Sequence, residues 1–113
     1  MEQIHERRES PTYSLTRLKE LAKAESVHLT QRSTRESQDL GYSFEQVCEC
    51  LAELEPEDFD QSILYESTKN WLDVYKMRNL TAASRVDDLY IKIRLNRDCV
   101  LVTVCSFHVE IYK

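Results

Sequence analysis

Only one glycine, Gly41, occurs in the 113 residues of this chain, and that scarcity excludes much. A GxGxxG dinucleotide loop, a P-loop and a GxSxG nucleophile elbow all need glycines where the backbone turns sharply or approaches a ligand closely. None can be assembled here, so neither a nucleotide cofactor nor a hydrolase triad has a scaffold. The four cysteines, Cys48, Cys50, Cys99 and Cys105, include no CxxC pair. Cys48 and Cys50 on a helix would point about 200° apart, so the four read as reduced, mostly buried thiols of a cytosolic protein. His5, His28 and His108 lie too far apart for ligand spacing and there is no HExxH, so no metal or other cofactor is expected. No window approaches the ~18 apolar residues of a membrane span. The segment from Met1 to Ser10 has no apolar stretch of the kind a signal peptide needs, and no membrane partner is expected.

The net charge of -5 argues at first against a nucleic-acid partner, because phosphate binding draws its affinity from lysine and arginine. The distribution reverses that impression. Residues 36–66 hold ten acids and no lysine or arginine, while the remainder carries fifteen basic and ten acidic groups. An acidic block is set in a chain that is otherwise basic. The block is either a solvated helix face or a docking surface for something basic.

Helix signals come first along the chain. Leu15, Leu18, Leu21 and Ala22 recur at helical spacing behind Ser14 as N-cap, predicting a helix over about 15–24. Val27 to Thr30 is a short β candidate. Ser33-Thr34-Arg35-Glu36 reads as a capping box opening a helix that Leu40-Gly41 closes. Ser43-Phe44-Glu45-Gln46 reads as a second box, ahead of Val47, Leu51 and Leu54 on one face. Pro56 to Phe59 predicts a further helical turn. From residue 61 the pattern changes to strands: Ser62 to Tyr65, Trp71 to Met77, Leu89 to Leu95 and Cys99 to Tyr112, with Asn96 to Asp98 as a tight turn and Arg78 to Asp88 as a loop. Helices followed by antiparallel strands define an α+β fold, helices packed on a twisted, mainly antiparallel sheet of about four to six strands. One domain is expected over residues 13–113, after a flexible extension over residues 1–12.

The most informative stretch is Leu89-Tyr90-Ile91-Lys92-Ile93-Arg94-Leu95, which alternates without a break. Its apolar face serves a core, and its other face lines up a phenol, an ammonium and a guanidinium about 7 Å apart. His108 belongs to the polar set of the last strand, and Lys76 and Arg78 to that of the strand before. A tight turn at Asn96 to Asp98 pairs 89–95 with 99–105, which leaves His108 beyond the directly paired stretch unless a bulge intervenes. Metal-free RNA cleavage needs a base for the ribose 2′-OH, cations at the phosphorane and an acid for the departing 5′ oxygen. Histidine as a residue type suits either proton transfer. Lys92 and Arg94 would hold phosphate, and Tyr90 would stack a base or donate a hydrogen bond. The plain alternative is the wet side of a sheet.

At these residues the sequence resembles the MqsR-type toxins of bacterial toxin-antitoxin systems. Trp71-Leu72-Asp73-Val74-Tyr75 is similar to that family's WQDVY, Tyr90-Ile91-Lys92-Ile93 to its YLKI and Ser106-Phe107-His108 to its terminal SFK. Leu15, Leu40-Gly41 and Asp58-Phe59 fall at matching spacings, so the resemblance covers roughly residues 13–108. It implies a fold akin to the RelE-like bacterial ribonucleases, metal-independent cleavage of messenger RNA by 2′-OH transesterification, and neutralisation by a cognate antitoxin. The family's active face uses a lysine after the DF motif, the glutamine of WQDVY, the tyrosine of YLKI and the lysine of SFK. Here those places hold Gln61, Leu72, Tyr90 and His108. The expected catalytic set is therefore Tyr90, His108 and Lys92, with Arg94, Lys76, Arg78 and Gln61 binding substrate. The alternative is a catalytically impaired member that acts as an antitoxin-binding or regulatory module, which Gln61 and Leu72 favour.

Overall fold

Side-chain caps start all three helices in the computed structural model, which describes residues 3–77 and 88–109. Ser14 accepts a hydrogen bond from Arg17 N at the head of α1 (Leu15–Lys23). Thr30 does the same for Ser33 N in α2 (Gln31–Asp39), and Ser43 and Gln46 form a reciprocal capping box in α3 (Phe44–Ala52). Each cap satisfies an N–H that has no partner within its helix. The α2 cap corrects the sequence reading, which placed it at Ser33. Ser33 instead lies inside the helix, fully buried, and donates to the Val104 carbonyl at 2.7 Å. The stop is where expected: α2 ends at Asp39 with Leu40 as its C-cap, and Gly41 follows at φ 84°, a left-handed conformation that suits glycine.

The strands are β1 (Ile4–Arg8), β2 (Val27–Leu29), β3 (Phe59–Tyr65), β4 (Trp71–Met77), β5 (Leu89–Leu95) and β6 (Val102–Val109). They form one sheet in the order β1-β3-β4-β5-β6-β2, antiparallel except for β2 beside β6. A 3-10 turn over Pro56–Asp58 leads into β3. The fold is α+β, as expected. Leu18, Leu21 and Ala22 of α1 and Val47, Cys48 and Leu51 of α3 pack with Tyr75, Leu89, Ile91, Ile93, Val102, Val104 and Phe107 of the sheet. Each large apolar side chain fully buried there contributes roughly 1.5–3 kcal/mol. The helical layer therefore lies on the face carrying the odd-numbered residues of β5, and Tyr90, Lys92 and Arg94 are left on the other.

β1 falls in the segment expected as a flexible extension. All five of its residues are exposed, so backbone pairing with β3 holds it rather than burial. The charged stretch Ile4-His5-Glu6-Arg7-Arg8 has no alternation to announce a strand.

The β5–β6 hairpin differs from the expectation, and the difference decides the site. Its connection runs over 96–101, with Asn96 Oδ1 accepting from Val100 N and Leu101 N and with Cys99 at φ 54°. Val100 is 53% exposed, so the central strand predicted from Cys99 begins only at Val102. Leu95 pairs with Val102, Ile93 with Val104 and Lys92 with Ser106. The ladder skips Cys105, a β-bulge, and this one-residue shift exchanges the two faces of the rest of β6. Phe107 goes into the core and His108 stands directly across from Tyr90. Residues 110–112, also predicted as strand, lie outside the described residues, as does the predicted loop over 78–87.

Beyond β2, the outer edge of β6 is covered by α2. Thr30 N and Ser33 Oγ both donate to the Val104 carbonyl, and Glu36 Oε1 accepts from Phe107 N at 2.9 Å. The helix thus satisfies backbone groups on both sides of the bulge.

Candidate active face

Register and alternation put the polar side chains into rows across the sheet. Lys76, Tyr90 and His108 form one row across β4, β5 and β6. Val74, Lys92 and Ser106 form the next, with Gln61 of β3 opposite Val74. Arg94 follows on β5, opposite Thr103.

The Tyr90 and His108 rings are stacked, with centroids 4.8 Å apart and planes 14° from parallel. Nδ1 of His108 lies 2.9 Å from the Val109 carbonyl oxygen. A carbonyl can only accept, so Nδ1 carries the hydrogen, and the neutral ring offers Nε2 as its basic atom. Burial, then the neighbouring Tyr65 and Asp60, pushes the Tyr90 phenol up to about 12, against a smaller opposing effect of Arg32 and Arg7. At neutral pH Tyr90 is a hydrogen-bond donor. Lys92 Nζ donates to Tyr65 Oη at 2.8 Å, which holds the ammonium on the β3 side of the same face.

The expected site residues divide accordingly. Tyr90, His108, Lys92 and Arg94 share one face. Lys76 is beside Tyr90 but its ammonium is 3.6 Å from Asp60, which offsets its charge. Gln61 lines a neighbouring depression with Arg7, Arg8, Glu9 and Asp60. Arg78 lies outside the described residues. His108, placed by the sequence reading beyond the paired stretch, is in it because the connection runs over 96–101, and the Cys105 bulge then sets it opposite Tyr90 rather than Leu89.

Three contributors were not foreseen. Arg32 of α2, Tyr65 of β3 and Ser106 of β6 line a depression of about 270 Å³ together with Leu72, Lys92 and Arg94. Arg32 had no sequence signal, because only the packing of α2 against β6 brings it there. Tyr65 had one: it shares the parity of Gln61 and Ile63 on β3. Among the described residues no three His, Cys, Asp or Glu side chains converge as metal ligands, and no helix is long and apolar enough to cross a membrane. Cys48 and Cys50 are buried, and burial followed by Glu25, Glu45 and Glu49 raises the Cys48 thiol to about 11.

Burial also raises the phenols of Tyr13 and Tyr75, as it does that of Tyr90. A tyrosine in the unfolded chain titrates near pH 10. Between that value and the higher folded ones the unfolded chain has lost these protons and the folded protein has kept them, so stability falls as pH rises. Urea midpoints are expected to drop steadily above about pH 10, with tyrosinate absorbance appearing on unfolding. A midpoint flat to pH 11, or tyrosinate appearing before unfolding, contradicts the assignment.

Fold and face together define a class: a small α+β protein with helices on one side of its sheet and an imidazole-phenol pair among cations on the other. A family model described as motility quorum-sensing regulator, toxin of MqsA, matches residues 10–109. The mRNA interferase toxin MqsR of Escherichia coli (strain K12) is 28% identical over 95 residues, a match covering 83% of this chain and 92% of that protein. The chain belongs to the MqsR toxin family.

Proposed function

We propose that this protein is an active mRNA interferase, an endoribonuclease that cleaves RNA without a metal and is held in check by a cognate antitoxin. The observation carrying the reading is the stacked Tyr90–His108 pair, aligned across two hydrogen-bonded strands with Lys92 in the next row of the same face. His108 Nε2 takes the ribose 2′-OH proton as the 2′ oxygen attacks phosphorus. Lys92 offsets the charge that develops on the phosphorane. The bond from phosphorus to the 5′ oxygen breaks, and Tyr90 supplies the hydrogen bond and then the proton to that oxygen. The products are a 2′,3′-cyclic phosphate and a 5′-hydroxyl. The phenol is suited to this step, being protonated at neutral pH yet more acidic than the alcohol it serves. The family description, toxin of MqsA, supports the antitoxin as partner.

Antitoxin-free protein incubated with mixed-sequence RNA in EDTA is expected to yield discrete fragments ending in 2′,3′-cyclic phosphate. Tyr90→Phe keeps the ring stack and removes the proton, so cleavage should slow about 10²-fold or more. Intact RNA at high protein concentration would replace this reading with that of an antitoxin-binding module, which Gln61 and Leu72 favour.

A further inference from the structure

The depression next to the Tyr90–His108 row is lined by side chains from β3, β4, β5, β6 and α2, and neither Tyr90 nor His108 is among them. Arg94 of β5 and Arg32 of α2 both line it, bringing guanidinium groups from different elements to one cavity. Arg32 is 66% exposed on its side chain, and its Nε is 3.5 Å from Glu36 Oε2. Such a surface pair is worth at most about 1 kcal/mol and exchanges readily for a phosphate. Glu36 has a second occupation, since its other oxygen accepts from Phe107 N. Tyr65 holds Lys92 within the lining, and Leu72 adds an apolar wall where a base can lie. Arg94 is two residues from Lys92 on one strand, a step of about 7 Å, close to the spacing of successive phosphates along a single strand.

We propose that this depression is a second nucleotide subsite. It takes the nucleotide adjoining the cleaved one, with its phosphate between Arg32 and Arg94 and its base against Leu72. The proposal rests on the reading of the face as an RNA-cleaving surface, and it makes the preferred substrate longer than a dinucleotide. It also gives Arg32 a part in substrate choice, although it lies on a helix rather than on the sheet.

The probe is a trinucleotide with a 2′-O-methyl group at the cleaved position, which binds without being cut. Its affinity for the full chain is followed by fluorescence anisotropy across a range of salt. Arg94→Gln and Arg32→Gln are each expected to weaken binding about tenfold and to make the slope of log K against log salt shallower by about 0.7, the share of one phosphate on a single strand. Lys23→Gln, exposed in the last turn of α1, is expected to change neither. Unchanged affinity and slope in either arginine variant overturns the subsite, and so does an equal loss in all three variants, which reports net charge alone. Circular dichroism melts establish that each variant is folded. If wild-type protein leaves RNA uncut while both arginine variants still weaken the probe, the catalytic reading falls and the subsite stands. If RNA is cut and neither variant alters cutting or binding, the subsite falls alone.

Discussion

His108→Ala is expected to reduce RNA cleavage by about 10²–10⁴-fold, the range that a positioned general acid or base contributes. The fold should survive. His108 stacks on Tyr90 at the solvent-facing side of the sheet, and loss of one such ring contact costs roughly 0.5–1.5 kcal/mol. His108→Lys separates two roles. If the residue mainly supplies charge, lysine keeps the rate near neutral pH. If it moves the proton, the lysine variant is slow at neutral pH and recovers as pH rises, because an ammonium must first lose its proton to act as base. The second outcome is expected. A wild-type rate in His108→Ala would remove this residue from the chemistry and leave Tyr90 and Lys92 without a proton acceptor.

What the sequence disclosed about this face, and what it hid, follows from periodicity. β5 was legible because strict alternation from Leu89 to Leu95 states which side is buried. The three helices were legible through caps and apolar spacing, with one cap misplaced because Thr30 and Ser33 are both good cap residues three positions apart. β6 was not legible in phase. The run from Cys99 to Cys105 is apolar almost throughout, and without alternation nothing marks where the strand starts or where it carries an extra residue. The placement of His108 depends on both, the start for its pairing with β5 and the extra residue for the face it takes. Arg32 was hidden for another reason: its position is set by how α2 docks, which no local pattern encodes. Lys76 is a substrate-binding candidate by sequence, and Asp60 claims it from across the β3–β4 pair.

The second large effect concerns stability. Asp73→Ala is expected to cost about 2–4 kcal/mol, read as a lower urea midpoint at unchanged slope. Asp73 is fully buried, and its two oxygens accept from Thr12 N at 3.0 Å and Tyr13 N at 2.9 Å. Thr12 Oγ1 meets Ser62 Oγ at 2.7 Å, and the Tyr13 hydroxyl donates to the Trp71 carbonyl. These four contacts strap the segment before α1 onto β3 and β4. Removing the carboxylate leaves two backbone donors unpaired in a protected place, at about 1–3 kcal/mol each. Asp73→Asn should lose about half as much, since an amide oxygen can still accept one of the two bonds. A loss under about 0.5 kcal/mol in the alanine variant contradicts the strap. The aspartate of Trp71-Leu72-Asp73-Val74-Tyr75 thus has a structural reason for being there. Its side chain points toward the helices, away from Tyr90 and His108.

From Val104 to Phe107, α2 takes over the edge of β6 where β2 stops. A true strand would repeat its bonds along the whole edge and hold any register equally well. A helix offers only the few groups it happens to turn inward, here Thr30 N, the Ser33 hydroxyl and the Glu36 carboxylate, and they match one register alone. The alignment of His108 with Tyr90, set by the β5–β6 ladder, is therefore also braced from outside the sheet, by a short element whose far side faces solvent. The bulge at Cys105 is thus braced on its open edge by side chains and on its other edge by β5, so that the extra residue is held in one place from two sides.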